Sequence, residues 1–201
     1  MIRTIQLVLA GALIAASCAA ATAQTVRVRG TIEKVDGNVL SLKSSVGTEL
    51  KLTLTGKAMI VALVKASMAD IEEGTFLGSA AMPQPDGSQR ALEVHIFPEQ
   101  MRGTGEGHRP YAPVPSGTMT NGTASRAIVT GVDGMTILVK YKGGEKKIVV
   151  PPNTPIVRYE IGGQGDLRPG ARVTVSAATR PDGTLEANRI NVGRDDVVPR
   201  Q

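Results

Sequence analysis

Three short landmarks of this 201-residue chain occur twice, in the same order and at nearly the same separation. The run from Arg29 to Gly37 (RGTIEKVDG) is answered by Arg126 to Gly134 (RAIVTGVDG). Asp70-Ile71-Glu72-Glu73-Gly74 is answered by Asp166-Leu167-Arg168-Pro169-Gly170, and Pro85-Asp86-Gly87 by Pro181-Asp182-Gly183. Self-similarity of this kind means one supersecondary unit made twice, and it bounds the fold before any single residue is considered. The modules are expected at 25–98 and 125–193, joined by a Gly/Pro-rich crossover at 99–124 and followed by a tail at 194–201.

Each landmark has a backbone reason. Asp-Gly between alternating apolar runs marks a hairpin, because a tight type I′ turn needs positive φ, which glycine accepts. Ile32–Val35 should turn at Asp36-Gly37 into Val39–Leu42, and Val129–Val132 at Asp133-Gly134 into Thr136–Val139. Lys51–Leu54 and Lys147–Val150 read as third strands. The closing hairpins run from Thr75–Ala81 through Asp86-Gly87 to Ala91–Ile96, and from Arg172–Val175 through Asp182-Gly183 to Leu185–Ile190. One helical turn precedes each, at Ser67–Ile71 and Asp166–Gly170, stopped by Gly74 and Gly170. The apolar run Lys57–Lys65 fits strand or helix. Strand is favoured, because its counterpart Ile156–Ile161 is β-rich and follows Pro155. The expectation is an all-β protein: two small five-stranded OB-like barrels in tandem, each with one short helical turn.

At about 70 residues each barrel would hold a thin core, so the two are expected to pack together; Gly103, Gly105 and Gly107 also allow independent beads on a linker. The pattern of Val-Asp-Gly, then Leu-x-Pro-Gly-x-x-Val-x-Val, then Asp-Gly-x-Leu-x-Ala-x-x-Ile resembles an uncharacterised OB-like β-barrel family of exported bacterial proteins, often in tandem. The second module carries it as Leu167–Val175 and Asp182–Ile190. The first departs from it, with Glu73 for the proline and Leu92 for the alanine. The resemblance implies a fold and no activity.

Residues 1–23 read as a signal peptide: Arg3, an apolar run from Ile5 to Ala16, and Ala21-Thr22-Ala23 before Gln24. That run is too short to span a bilayer, and no later segment supplies a transmembrane stretch. A periplasmic or secreted protein is expected. Cys18, the only cysteine, lies inside the signal, so the mature chain should hold no disulfide. A lipid anchor through Cys18 is disfavoured, because Ala15 stands where a bulky aliphatic residue belongs. The formal charge of +5 is a mild bias toward anionic surfaces. Tryptophan is absent, and Phe76, Phe97, Tyr111, Tyr141 and Tyr159 are too few for a base-stacking platform, so nucleic acid is not an expected partner.

The central stretch His95–Asn121 holds both histidines. His95, Glu99, Glu106 and His108 form a candidate ligand set for copper or zinc, although the spacings match no standard zinc pattern. By strand alternation His95 should face outward, and the competing reading makes it a surface strand residue beside a tight crossover. Lys140, Lys142, Lys146 and Lys147 flank Tyr141 around Gly143-Gly144 and are candidates for an anionic ligand; lysines that guard a strand edge are the stronger alternative. Arg102 and Arg109 join the ligand-binding candidates, or else dock the crossover together with Phe97 and Tyr111. No nucleophile with an adjacent base and an orienting group is legible, so no catalytic residue is assigned. The expected function is a non-enzymatic exported binding or scaffold protein for an envelope component, with the central loop as its functional surface. The alternative is a periplasmic transition-metal-binding protein.

Overall fold

β1 (Thr25–Asp36), β2 (Val39–Ser44) and β3 (Glu49–Ala66) open the chain as an antiparallel meander. They belong to a computed structural model that describes residues 25–130 and 134–200, the backbone alone for 126–130. Residues 1–24, where the signal peptide is expected, and residues 131–133, Asp133 of the expected turn among them, lie outside the described residues. The remaining strands are β4 (Phe76–Pro83), β5 (Gln89–Ile96), β6 (Gly107–Pro110), β7 (Thr118–Thr130), β8 (Gly134–Tyr141), β9 (Gly144–Val150), β10 (Ile156–Ile161), β11 (Arg172–Thr179) and β12 (Leu185–Gly193). Single 3-10 turns occupy Met68–Asp70, Glu99–Met101 and Gln164–Asp166. Among the described residues no helix is long and apolar enough to cross a membrane.

The protein is all-β and largely antiparallel, built on a small closed barrel of five strands with further strands and short helical turns. Pairing runs β1–β2–β3, passes to β12 in parallel with β3, continues to β11 and returns to β1. A second circuit of pairings runs β4–β5, then β9 in parallel with β5, then β8 and β7, and back to β4. Neither circuit is made by one half of the sequence. The early strands are closed by β11 and β12 from the far end of the chain, and the strands after residue 117 are closed by β4 and β5. The expectation of self-contained barrels at 25–98 and 125–193 is corrected here: the halves exchange their closing hairpins.

The length of β3 explains the exchange. The short third strand and the ambiguous apolar run are one strand of 18 residues, about 60 Å at the usual rise per residue, far longer than one small barrel needs. β12 runs beside both parts of it; the first part also pairs with β2 and the second with β10, which in turn pairs with β5, so the strand reaches from its own circuit to the other. In the later half Pro151-Pro152 breaks the same run into β9 and β10, since proline cannot serve a central ladder. β3 and β10 cross antiparallel with Leu63 opposite Tyr159, two residues at matched places in the halves. This pair lies on the local two-fold relation between them.

Two apolar cores fill the circuits. One gathers Ile32, Leu40, Leu42, Leu52, Val175 and Ile190; the other gathers Leu77, Val94, Ile137, Val139 and Ile148. A third cluster of Val61, Leu63, Met101, Val157 and Tyr159 lies where β3 and β10 turn their other face, with Phe97 and Val197 packed on it. The halves are thus one packed unit, and the independent-bead arrangement is excluded.

The turns keep their glycines but not the expected type. Gly37 has φ +58°, while Asp36 and Asn38 are not in the positive region. Positive φ at the first central position alone is the type II′ pattern. At the closing hairpins Gln84 N–H donates to Ser88 O at 2.8 Å and Arg180 N–H to Thr184 O at 2.8 Å, and only Gly87 (φ +80°) and Gly183 (φ +81°) are left-handed. Asp86 Oδ1 accepts from Ser88 N–H at 3.0 Å and Asp182 Oδ1 from Thr184 N–H at 2.9 Å. These are three-residue loops with a glycine bulge.

The ladders also correct the alignment of the first landmark. Ile32 faces Leu42, and Ala124 faces Val139, each with a bulge directly after it. Gly30 therefore answers to Gly122, not to Ala127. A Cβ on Gly30 would collide with the carbonyl of Lys43, and one on Gly122 with that of Lys140. The second early hairpin is longer at its tip, which had pulled the sequence match out of step. β7 also begins at Thr118, so the crossover ends before residue 118 and not at 124.

Candidate functional site

The crossover is ordered by contacts at both of its ends. Phe97 meets Tyr159 edge-on, with ring centroids 5.1 Å apart, and Phe76 at 5.5 Å. Met101 is buried. Arg102 donates from Nε to Glu99 at 2.6 Å and from Nη2 to Gly74 O at 3.1 Å, and its guanidinium lies over Phe76. Beyond it, β6 pairs with β7 through Gly107–Pro110. Asn121 Nδ2 donates to Thr104 O at 2.9 Å. The Oδ1 of Asn121 stands 2.6 Å from where a Cβ on Gly78 would lie, so glycine at 78 lets Asn121 and Phe97 settle against β4.

The lysine-rich hairpin receives the same crossover. Tyr141 and His108 stack with centroids 6.4 Å apart, and Lys142 N–H donates to Glu106 Oε1 at 2.9 Å. Lys140 faces Glu145 across the ladder, and Lys147 comes within 3.7 Å of Asp86. The turn is centred on Lys142-Gly143, with Gly143 at φ +99°. His108 Nδ1 is 2.8 Å from Thr120 Oγ1; burial, and then the charge of Lys146, pulls the imidazole below its ordinary pKa.

The four metal candidates are held apart in separate contacts. Glu99 is engaged by Arg102, Glu106 by Lys142, His108 by Thr120 and Tyr141, and His95 by Glu93. Among the described residues no three His, Cys, Asp or Glu side chains group as metal ligands.

His95 points away from its own core, as alternation requires, yet it is only 1% exposed. The expectation that it faces solvent is corrected: Tyr159 covers its ring at 5.4 Å, and Glu93 Oε1 lies 3.1 Å from its Nε2. The cover comes from Tyr159 of β10, the strand paired in parallel with β5, a tertiary fact that alternation cannot reveal. Burial, and then the nearby Glu93 carboxylate, pushes the Tyr159 phenol well above its usual range.

Next to this buried group the crossover and the first circuit enclose a polar cleft of about 200 Å³. Arg27 of β1, Arg189 of β12 and Arg109 of β6 line it, with Thr104, Gly105, Asn121, Tyr159, Thr174, Ser176 and Asn191. Arg109 Nη1 donates to Gly105 O at 2.6 Å, and Arg189 Nε to Asn191 Oδ1 at 3.2 Å. Both acceptors are neutral. Among the described residues no carboxylate comes within ion-pair range of any of these three arginines. Some other arginines are paired, Arg194 with Asp166 at 2.7 Å and with Glu160, Arg158 with Asp70, Arg180 with Glu186 and Arg102 with Glu99, whereas Arg29, Arg90, Arg168 and Arg172 form no ion pair among the described residues.

No family model, curated protein or solved structure matches this chain. What can be said of its chemistry therefore comes from the cleft itself. Of the ligand and metal candidates singled out in the sequence, Arg109 alone lines the cleft, beside the crossover anchor Phe97. Arg102 and the hairpin lysines stand elsewhere. Arg27 and Arg189 escaped sequence reasoning because they come from strands far apart in the chain. Their outward alternation beside Val28 and Ile190 was the one available signal.

Proposed function

We propose that this is an exported, non-enzymatic binding protein of the cell envelope, in which two OB-like barrels with exchanged closing hairpins form a rigid scaffold. The central crossover is its functional wall, and the partner is an anionic envelope component that docks at the arginine cleft. Export rests on the signal-like residues 1–23. The OB-like assignment rests on the strand order of the circuits and on the family resemblance.

One observation carries the functional reading: three guanidinium groups share a cleft without a carboxylate to neutralise them. Like charges lining one cleft repel one another, and the arrangement gains when an anion enters. No nucleophile, base and orienting group are assembled there, so binding is the chemistry proposed.

The test is retention of an envelope component on immobilised protein at rising salt, with the double variant Arg27→Ala plus Arg109→Ala run in parallel. Retention should weaken with salt and be lost in the variant. A partner held equally by both proteins would place the functional surface elsewhere.

A further inference from the structure

The geometry points to a phosphate group, a tetrahedral oxyanion carrying about two charges, as the ligand of the cleft lined by Arg27, Arg109 and Arg189. This rests on the reading of the cleft as the binding surface and narrows it to a class. Charge comes first. A carboxylate brings one negative charge and two oxygens in a plane, which leaves most of three guanidinium groups uncompensated. A phosphate brings between one and a half and two charges and three or more acceptor oxygens. Arginine forks are suited to such oxygens because each offers paired N–H donors.

The neutral lining agrees with that assignment. Tyr159 and Ser176 bring hydroxyl-bearing side chains to the lining, groups that complete the shell of an anion without adding charge. Burial and the nearby Glu93 hold the Tyr159 phenol protonated, so it can donate to a ligand oxygen. Arg27 and Arg189 flank Ser176 in one row across β1, β11 and β12, and Arg109 of β6 comes from the crossover. A volume of about 200 Å³ admits a compact group such as a phosphate.

The experiment is calorimetric titration of the full mature chain with inorganic phosphate at low ionic strength, repeated with sulfate, acetate and glycerol 3-phosphate. Saturable binding of phosphate is expected, weakened by about tenfold or more in Arg27→Ala and in Arg109→Ala, with the folded state of each variant confirmed by circular dichroism. Lys57→Ala, which removes an exposed charge away from the cleft, should bind like the parent. Acetate should bind more weakly than either tetrahedral anion.

Co-sedimentation with phosphatidylcholine vesicles, with and without phosphatidic acid, separates the sources. Sedimentation that depends on phosphatidic acid and on both arginines assigns a lipid headgroup. Tight glycerol 3-phosphate binding without sedimentation assigns a free monoester. Absent phosphate binding, or binding equal in all variants, overturns the inference. If the envelope partner still depends on Arg27 and Arg109 in that case, only the ligand class falls; if that dependence is also missing, the binding reading of the cleft falls with it.

Discussion

β5 and β12 hold matched places in the two circuits, and they agree on one face while parting on the other. Inward, Val94 and Ile96 of β5 fill one core as Ile190 and Val192 of β12 fill the other. Outward, Glu93 and His95 stand where Arg189 and Asn191 stand in the partner strand. Packing at interior density permits little change on the inward side. The outward side answers only to what happens to cover it. On β5 it became a buried His95–Glu93–Tyr159 contact, and on β12 it became a wall of the arginine cleft. The duplicated scaffold is thus alike in its cores and unlike where it meets other chemistry.

The largest effect should come from testing who closes which circuit. Ile190→Ala leaves a cavity in the core of the first three strands and should cost about 2–5 kcal/mol. In hydrogen exchange at low denaturant, the first amides to lose protection should lie in β1–β3; Val94→Ala should instead loosen β7–β9. Loss confined to the mutated strand's own half of the sequence would refute the exchange. Next comes the pair Gly30→Ala and Gly122→Ala. Each new Cβ meets a neighbouring carbonyl, and the overpacking should cost about 1–3 kcal/mol at both sites in chemical denaturation. Gly37→Ala, which has open space around it and only its positive φ to strain, should cost about 1 kcal/mol. Unequal costs at Gly30 and Gly122 would weaken the equivalence drawn between them.

His95→Asn makes β5 resemble β12 on its outward face. It removes the ring from Tyr159 and leaves Glu93 without that partner, at a cost of about 1–2 kcal/mol by thermal or chemical unfolding. The smallest effect concerns His108, whose folded pKa is depressed. The unfolded chain then binds the proton more readily, so stability rises with pH up to the ordinary histidine range and falls on acidification below it. In His108→Gln the unfolding midpoint should lose that part of its pH slope, and an unchanged slope would count against the assignment.

The sequence shows a good deal of this fold for identifiable reasons. Gly74, Gly87, Gly170 and Gly183 mark backbone positions with positive φ, a local demand that can be read residue by residue. The 3-10 turn at Met68–Asp70 follows similarly, with Asp70 accepting from Ser67 N–H at 2.8 Å. Its counterpart is corrected from 166–170 to Gln164–Asp166, because Asp166 closes the turn by accepting from Gly163 N–H at 2.9 Å and does not open it. What could not be read is which hairpin closes which circuit. That choice depends on where β3 delivers the chain, and alternation within a strand is blind to it. His95 and Arg189 share the difficulty: each lies on an outward face, and only the neighbour across that face decides whether it is sealed or left open to a ligand.

The exchanged hairpins also govern when the molecule can form. β1–β3 are synthesised more than a hundred residues before their closing strand β12, so the opening meander must wait with unpaired edges until that strand has been made. Such distant pairings favour slow folding, and waiting edges invite association with other chains. A polypeptide that stops short of Leu185 lacks the strand that joins β3 to β11, and it would be released from synthesis as an open sheet.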